Sequence, residues 1–117
     1  MLLPGVIRKR RVDYSVEIDN GETITNGEVE HNAKTTETKS LAIFHLQFKD
    51  LRHAPEGQWN TGDIKMYEVG AATITQESVV TFEGSDYRVL LVSDRNKDGG
   101  FTMYWGKLIG ENEAKNE

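Results

Sequence analysis

With 117 residues, no cysteine and a net charge of −5, the chain is the size of one ordinary domain with an acidic surface. The missing thiols exclude disulfides, thiolate metal sites and cysteine nucleophiles, and they suit a reducing compartment. No apolar run approaches membrane-spanning length, and an acidic body disfavours nucleic acid as the main ligand.

The opening MLLPGVIRKRR has no signal-peptide hydrophobic core and ends in four cations, Arg8, Lys9, Arg10 and Arg11, with no acid among them. The rest of the chain carries 10 basic and 19 acidic side chains. Read as an extended segment, the cluster sends two cations to each side of the strand start. It is either a contact for phosphates or an acidic partner surface, or a solvated strand end. The expectation carried forward is an intermolecular contact with an acidic neighbour.

VDYSVEI (12–18) alternates, with Val12, Tyr14, Val16 and Ile18 on one face, as a half-buried strand does. DNGE (19–22) is a turn signal centred on Asn20-Gly21, and TIT (23–25) starts a return strand. Residues 26–40 are polar and charged, with no bulky apolar residue between Val29 and Leu41. They read as a long mobile loop or as a hairpin arm projecting from the domain. Its marked residues are Asn26, Glu28, Glu30, His31, Lys34, Glu37 and Lys39, and it is expected to order only on assembly.

LAIFHLQF (41–48) is a central strand, apolar on both sides at its start. A loop follows over 49–63, with Pro55 and Gly57 as breakers. Strands are predicted at 64–69, 73–75 and 79–82, then a tight turn at 83–86, and a final hairpin over 87–109. In its connection SDRNKDGG, Asp94, Asn96 and Asp98 are spaced two apart before Gly99, as at the start of a calcium loop. The position that should hold a bidentate glutamate is Trp105, and strand-like sequence flanks the loop on both sides. The stretch therefore reads as a metal-free hairpin loop, its glycines serving the turn.

No segment reads as a helix. Turn-separated short strands predict an all-β fold, a small antiparallel β-barrel or sandwich with a long polar loop. One domain spans 1–109, and 110–117 form a polar, frayed tail.

His31, His45 and His53 lack zinc spacing, the serines are isolated, and no glycine-rich phosphate loop is present. The sequence thus predicts no enzyme, no metal and no cofactor. In the last strand Phe101, Met103 and Trp105 share one face, and Thr102, Tyr104 and Leu108 the other. Either both layers of a sandwich bury these faces, or the Phe101/Met103/Trp105 face packs on another subunit.

Residues 75–110, TQESVVTFEGSDYRVLLVSDRNKDGGFTMYWGKLIG, combine a polar turn, a strand ending VTFEG, and YRVLLVSD. A DGG turn and a last strand with a WG step complete the stretch. It resembles the last third of the small head–tail joining proteins of tailed bacteriophages, also called head-completion, head-closure or stopper proteins, the group that includes the phage lambda joining protein. Val80, Phe82, Gly84, Tyr87, Val89, Val92, Asp98, Gly99, Gly100, Tyr104 and Gly106 carry the likeness, which covers less than a third of the chain.

The resemblance implies a β-barrel-like subunit in a homo-oligomeric ring of the virion neck, made in the host cytoplasm. The ring's partners would be the portal or adaptor ring on one side and the tail terminator or tail-tube protein on the other. Genomic DNA would pass through the lumen without sequence-specific binding. The family has no catalytic residues or cofactor to transfer, and no membrane is involved. The alternative is a β-sandwich binding module for carbohydrate or calcium, served by exposed aromatics and the Asp94/Asp98 loop.

Overall fold

The computed structural model describes residues 4–55 and 57–111, apart from the side chains of Pro4, Val6, Arg8 and Glu111. A seven-residue helix, α1 (Pro4–Arg10), leads into β1 (Val12–Ile18). Then come β2 (Glu22–Thr25), β3 (Glu28–His31), β4 (Thr35–His45), the single turn α2 (Phe48–Leu51), β5 (Ile64–Val69) and β6 (Val79–Phe82). The order ends with β7 (Ser85–Arg95), the single turn α3 (Asn96–Gly99) and β8 (Phe101–Glu111).

Six strands close into an antiparallel barrel in the order β1-β4-β5-β8-β7-β6. The long β4 makes closure possible by serving two neighbours in turn. Thr35 to Leu41 pair with Ile18 to Val12 of β1, and Ala42 to His45 pair with Tyr67 to Ile64 of β5. A short ladder, Val16 to Val80 and Glu17 to Val79, joins β1 to β6 and seals the wall. Closure leaves the barrel with no free sheet edge.

Alternation along each strand points Val16, Ile18, Leu41, Ile64, Met66, Val80, Tyr87, Val89 and Tyr104 inward as one packed cluster. A second cluster lies outside the wall, where Ile7 of α1 is fully buried against Ala42 and Phe101. Phe44, Tyr67, Val69 and Met103 pack around it. Two clusters, one on each side of the wall, explain why β4 is apolar on both faces: Leu41 and Ile43 serve the interior, Ala42 and Phe44 the helix.

Five expectations need correction. First, PGVIRKR is helical although no helix was expected. Pro4 occupies the first helical position, where its missing N–H costs nothing, and buried Ile7 anchors the segment to the wall. Second, residues 26–40 are not a loop. They contain the Asn26-Gly27 turn, β3 and the first half of β4, joined by 32–34. Thr35, Thr36 and Thr38 pair their backbones with β1 while their side chains stay exposed, so the strand forms without burying anything.

Third, Asn20-Gly21 is not the turn that returns the chain onto β1. β2 pairs with β3 through Glu22 to His31, Thr23 to Glu30, Ile24 to Val29 and Thr25 to Glu28. The turn is Asn26-Gly27, with φ of 53° and 81°, both in the left-handed region that a tight hairpin turn requires. Fourth, residues 73–75 form no strand. They belong to a segment that crosses one barrel end and drives Ile74 into the core. Fifth, β8 runs two residues past the expected domain end, Asp86 pairing with Gly110 and Ser85 with Glu111. The remainder of the expected tail, 112–117, lies outside the described residues.

Candidate interaction surface

The β2–β3 hairpin is an arm. It forms a separate two-stranded sheet and packs substantially on no other element. Its neck is clamped by two asparagines. Asn20 Nδ2 donates to the carbonyl of Ala33 at 2.7 Å, and Asn32 Nδ2 donates to the carbonyl of Asn20 at 2.9 Å. The Asn32 amide donates to the Gly21 carbonyl at 2.9 Å, and the Thr23 hydroxyl donates to Asn32 Oδ1 at 2.8 Å. These bonds tie the arm's base to the barrel rim without burying any side chain.

The cross-strand pairs sort the arm into two faces. One carries Thr23, Thr25, Glu28 and Glu30. The other carries Ile24, Val29 and the Glu22–His31 pair at 3.3 Å. Ile24 is 72% exposed and Val29 56%. Between Val12 and Ala33 the chain has six acids and no Lys or Arg, four of the acids (Asp19, Glu22, Glu28, Glu30) being in the arm or its neck. Two-stranded hairpins are marginally stable on their own, and every residue of β2 and β3 is exposed.

The basic cluster sits at the far end of β1. Lys9, Arg10 and Arg11 are exposed, and the side chain of Arg8 lies outside the described residues. Because the backbone of Arg8 to Arg10 is helical, the cluster lies on the last turn of α1 and the residue after it instead of alternating along a strand, which corrects the extended reading. They also lie where positive charge favours the helix dipole, a local role in the fold. Among the described residues no ion pair engages Lys9, Arg10 or Arg11. Val12, next in sequence, is 55% exposed.

The other proposed contact residues are placed differently. Phe101 is 8% exposed beneath α1, and Trp105 is 6% exposed with the Trp59 ring edge-on at 5.2 Å. Met103 is half-buried in the same outer cluster. The chain's own helix and the loop before β5 cover this face, so Phe101 and Trp105 are buried within the single chain, as one of the two sequence alternatives had it. That loop is held by Asp63, whose buried carboxylate accepts from Lys107 Nζ at 2.9 Å, the Leu108 amide at 2.9 Å and the Asn60 amide at 3.0 Å.

The connection between β7 and β8 is a turn of backbone economy. Asp94 accepts from the amides of Ala72 at 3.0 Å and Asn96 at 2.9 Å, and these bonds hold its carboxyl below the usual range. Gly100 adopts φ of 71° and donates to the Asn96 carbonyl at 3.1 Å, and a Cβ on Gly99 would strike the Phe101 ring at 2.5 Å. Both glycines and Asp94 are thereby explained by the hairpin. Among the described residues no group of three His, Cys, Asp or Glu is arranged to hold a metal.

Inside the plugged barrel end, Glu68 is 8% exposed and accepts from the Tyr104 hydroxyl at 2.6 Å and the Thr73 amide at 3.1 Å. Burial, then the Glu68 hydrogen bond and its charge, push the Tyr104 phenol up. The cluster fastens 70–78 across the opening. His45 pairs with Glu83 at 3.1 Å at the other rim.

The histidines are dispersed, as their spacing predicts: His31 on the arm, His45 at the end of β4, His53 after α2. The reading of the sequence missed Ile24, Val29 and the Asn20/Asn32 clamp. A signal existed: Asn26-Gly27 lies between TIT and EVE, each alternating, which is a hairpin signature. No protein-family model matches the chain, and no curated protein matches it in sequence.

Proposed function

We propose that the protein is a structural subunit of a homo-oligomeric ring in the neck of a tailed phage, joining the portal or adaptor to the tail. The observation that carries the reading is the stretch 75–110, whose likeness to head–tail joining proteins lies on β6, β7 and β8 and on the turn glycines Gly84, Gly99 and Gly100 between them. The acidic body supports it physically, since a lumen of like charge repels DNA and lets it slide. On this reading the chain carries out no chemistry and needs no cofactor. Its partners are copies of itself, the portal or adaptor ring, the tail terminator or tail tube, and DNA in transit. It resides in the virion, after assembly from the host cytoplasm.

The binding-module alternative has no specific observation in its favour, because Asp94 is engaged by backbone amides and Trp105 is buried. The test is genetic and biochemical. Deleting the gene from a phage that carries it should leave DNA-filled heads and free tails, and added purified protein should join them into infectious particles. Normal virions from the deletion would overturn the proposal.

A further inference from the structure

We infer that copies of this chain associate head to tail, the β2–β3 arm of one seating on the basic end, Lys9 to Val12, of the next. The inference deepens the ring reading and rests on it only for the contact's place in a phage neck.

The two patches match in chemistry. The arm presents an apolar pair, Ile24 and Val29, with Glu22 on the same face and Glu28 and Glu30 on the opposite one. The basic end presents exposed Val12 beside Lys9, Arg10 and Arg11. Seating Ile24 and Val29 on Val12 leaves Glu22 at the rim, within reach of long cationic side chains, while Glu28 and Glu30 add to the arm's negative field from the other face. That is an apolar centre with a charged border, the usual anatomy of a protein contact.

Geometry forbids the same contact within one chain. Val12 and Ile18 are the two ends of β1, which at about 3.3 Å per residue puts them roughly 20 Å apart. The arm leaves from the Ile18 end and the cations lie at the Val12 end. The clamp of Asn20 and Asn32 sets the arm's root at that far rim. Complementary patches at opposite ends of one molecule are not self-complementary, so they make a heterologous contact. Such a contact closes into a ring or runs on as a filament, and it does not stop at a two-fold dimer.

The chain has no cysteine, so introduced thiols report on this contact without background. A chain carrying both Val12→Cys and Ile24→Cys, oxidised at high protein concentration, should give a disulfide ladder of trimers and larger species. Each single variant should stop at dimers. Pairing Ile24→Cys with Glu83→Cys, at the opposite barrel rim on the tip of the β6–β7 turn, is the control. Adding Glu22→Lys, on the contact face, should cut the ladder about tenfold, since like charges then face each other. The charge-reversed arm should crosslink again to chains whose Lys9, Arg10 and Arg11 are replaced by Glu. A ladder no stronger than the control, or one indifferent to charge reversal, overturns the inference. The two readings fail separately: a ladder without head–tail joining activity removes the phage-neck reading, and joining activity without a ladder removes this contact.

Discussion

The barrel and the arm use the same antiparallel pairing, yet they are stabilised by different things. In the barrel every strand has two neighbours, and the inward side chains decide whether it holds. In the arm two strands have only each other, no side chain is buried, and a left-handed turn and an asparagine clamp fix the geometry. A body built on burial tolerates little change inside. An arm built on backbone geometry tolerates side-chain change without loss of the fold, which leaves its surface free to be shaped by a partner.

The sharpest way to break that contrast is to cut the same kind of atoms from each region. Met66 is fully buried at the barrel centre. Met66→Ala should cost about 2–5 kcal/mol in urea unfolding, as other large-to-small core changes do. Filling the same space should cost less. A Cβ at Gly106 would lie 3.1 Å from Ile64 Cγ1, 3.2 Å from Met66 Cε and 3.3 Å from Tyr87 Cβ. Gly106→Val should therefore destabilise by about 1–3 kcal/mol. An unchanged denaturation midpoint in either variant would mean the interior is looser than its packing indicates.

Tyr104→Phe probes the plugged end. It removes the hydroxyl that serves Glu68 and the 73–74 backbone, and should cost about 1–3 kcal/mol by leaving buried polar groups short of a partner. The same hydroxyl predicts a pH dependence. A phenol whose folded value is raised keeps its contribution below the ordinary value of 10.0 and loses it as pH climbs through the folded value. The melting temperature should thus fall on the alkaline side of pH 10, less steeply in Tyr104→Phe. Burial raises Tyr67, Tyr87 and Tyr14 as well, helped by Glu83 at Tyr87 and Tyr14 and opposed by Lys65 at Tyr67, so the variant should keep part of the slope.

The smallest expected effects on the fold are in the arm. Ile24→Thr with Val29→Thr should change unfolding free energy by no more than about 0.5 kcal/mol, the range of surface substitutions. Gly27→Val places a β-branched residue at φ of 81° and should melt the arm alone. Amide exchange should then lose protection from Glu22 to His31 while the barrel amides keep theirs. Barrel unfolding in this variant would show that the arm and the body are one cooperative unit, and the contrast would fail.

Local pattern carried much of the barrel into view. Alternation in 12–18 and 64–69 marked β1 and β5, because a strand's two faces are written at every second residue. The Glu83-Gly84 turn and Gly100 were legible because few residues take those backbone angles, and Gly99 because a Cβ there would strike Phe101. The absence of a thiol, the uneven charge and the all-β class also follow from the sequence alone.

What stayed hidden depended on neighbours far along the chain. α1 has seven residues, and its Ile7 is buried only because β4 and β8 bring Ala42 and Phe101 beneath it. Trp105 looks like an interface residue until Trp59 folds over it. Thr35 to Ser40 bury little and hold their place by backbone hydrogen bonds to β1, which hydropathy does not record. The Ile74 plug, likewise, is a strand-like sequence whose ladder partners are taken, leaving it to cross the barrel's end and fill it. Sequence by itself determined which residues want burial and where the chain turns. Tertiary structure decided which apolar faces were covered from within and which, on the arm and beside the cations, were left outside, because coverage is a property of distant segments meeting in space.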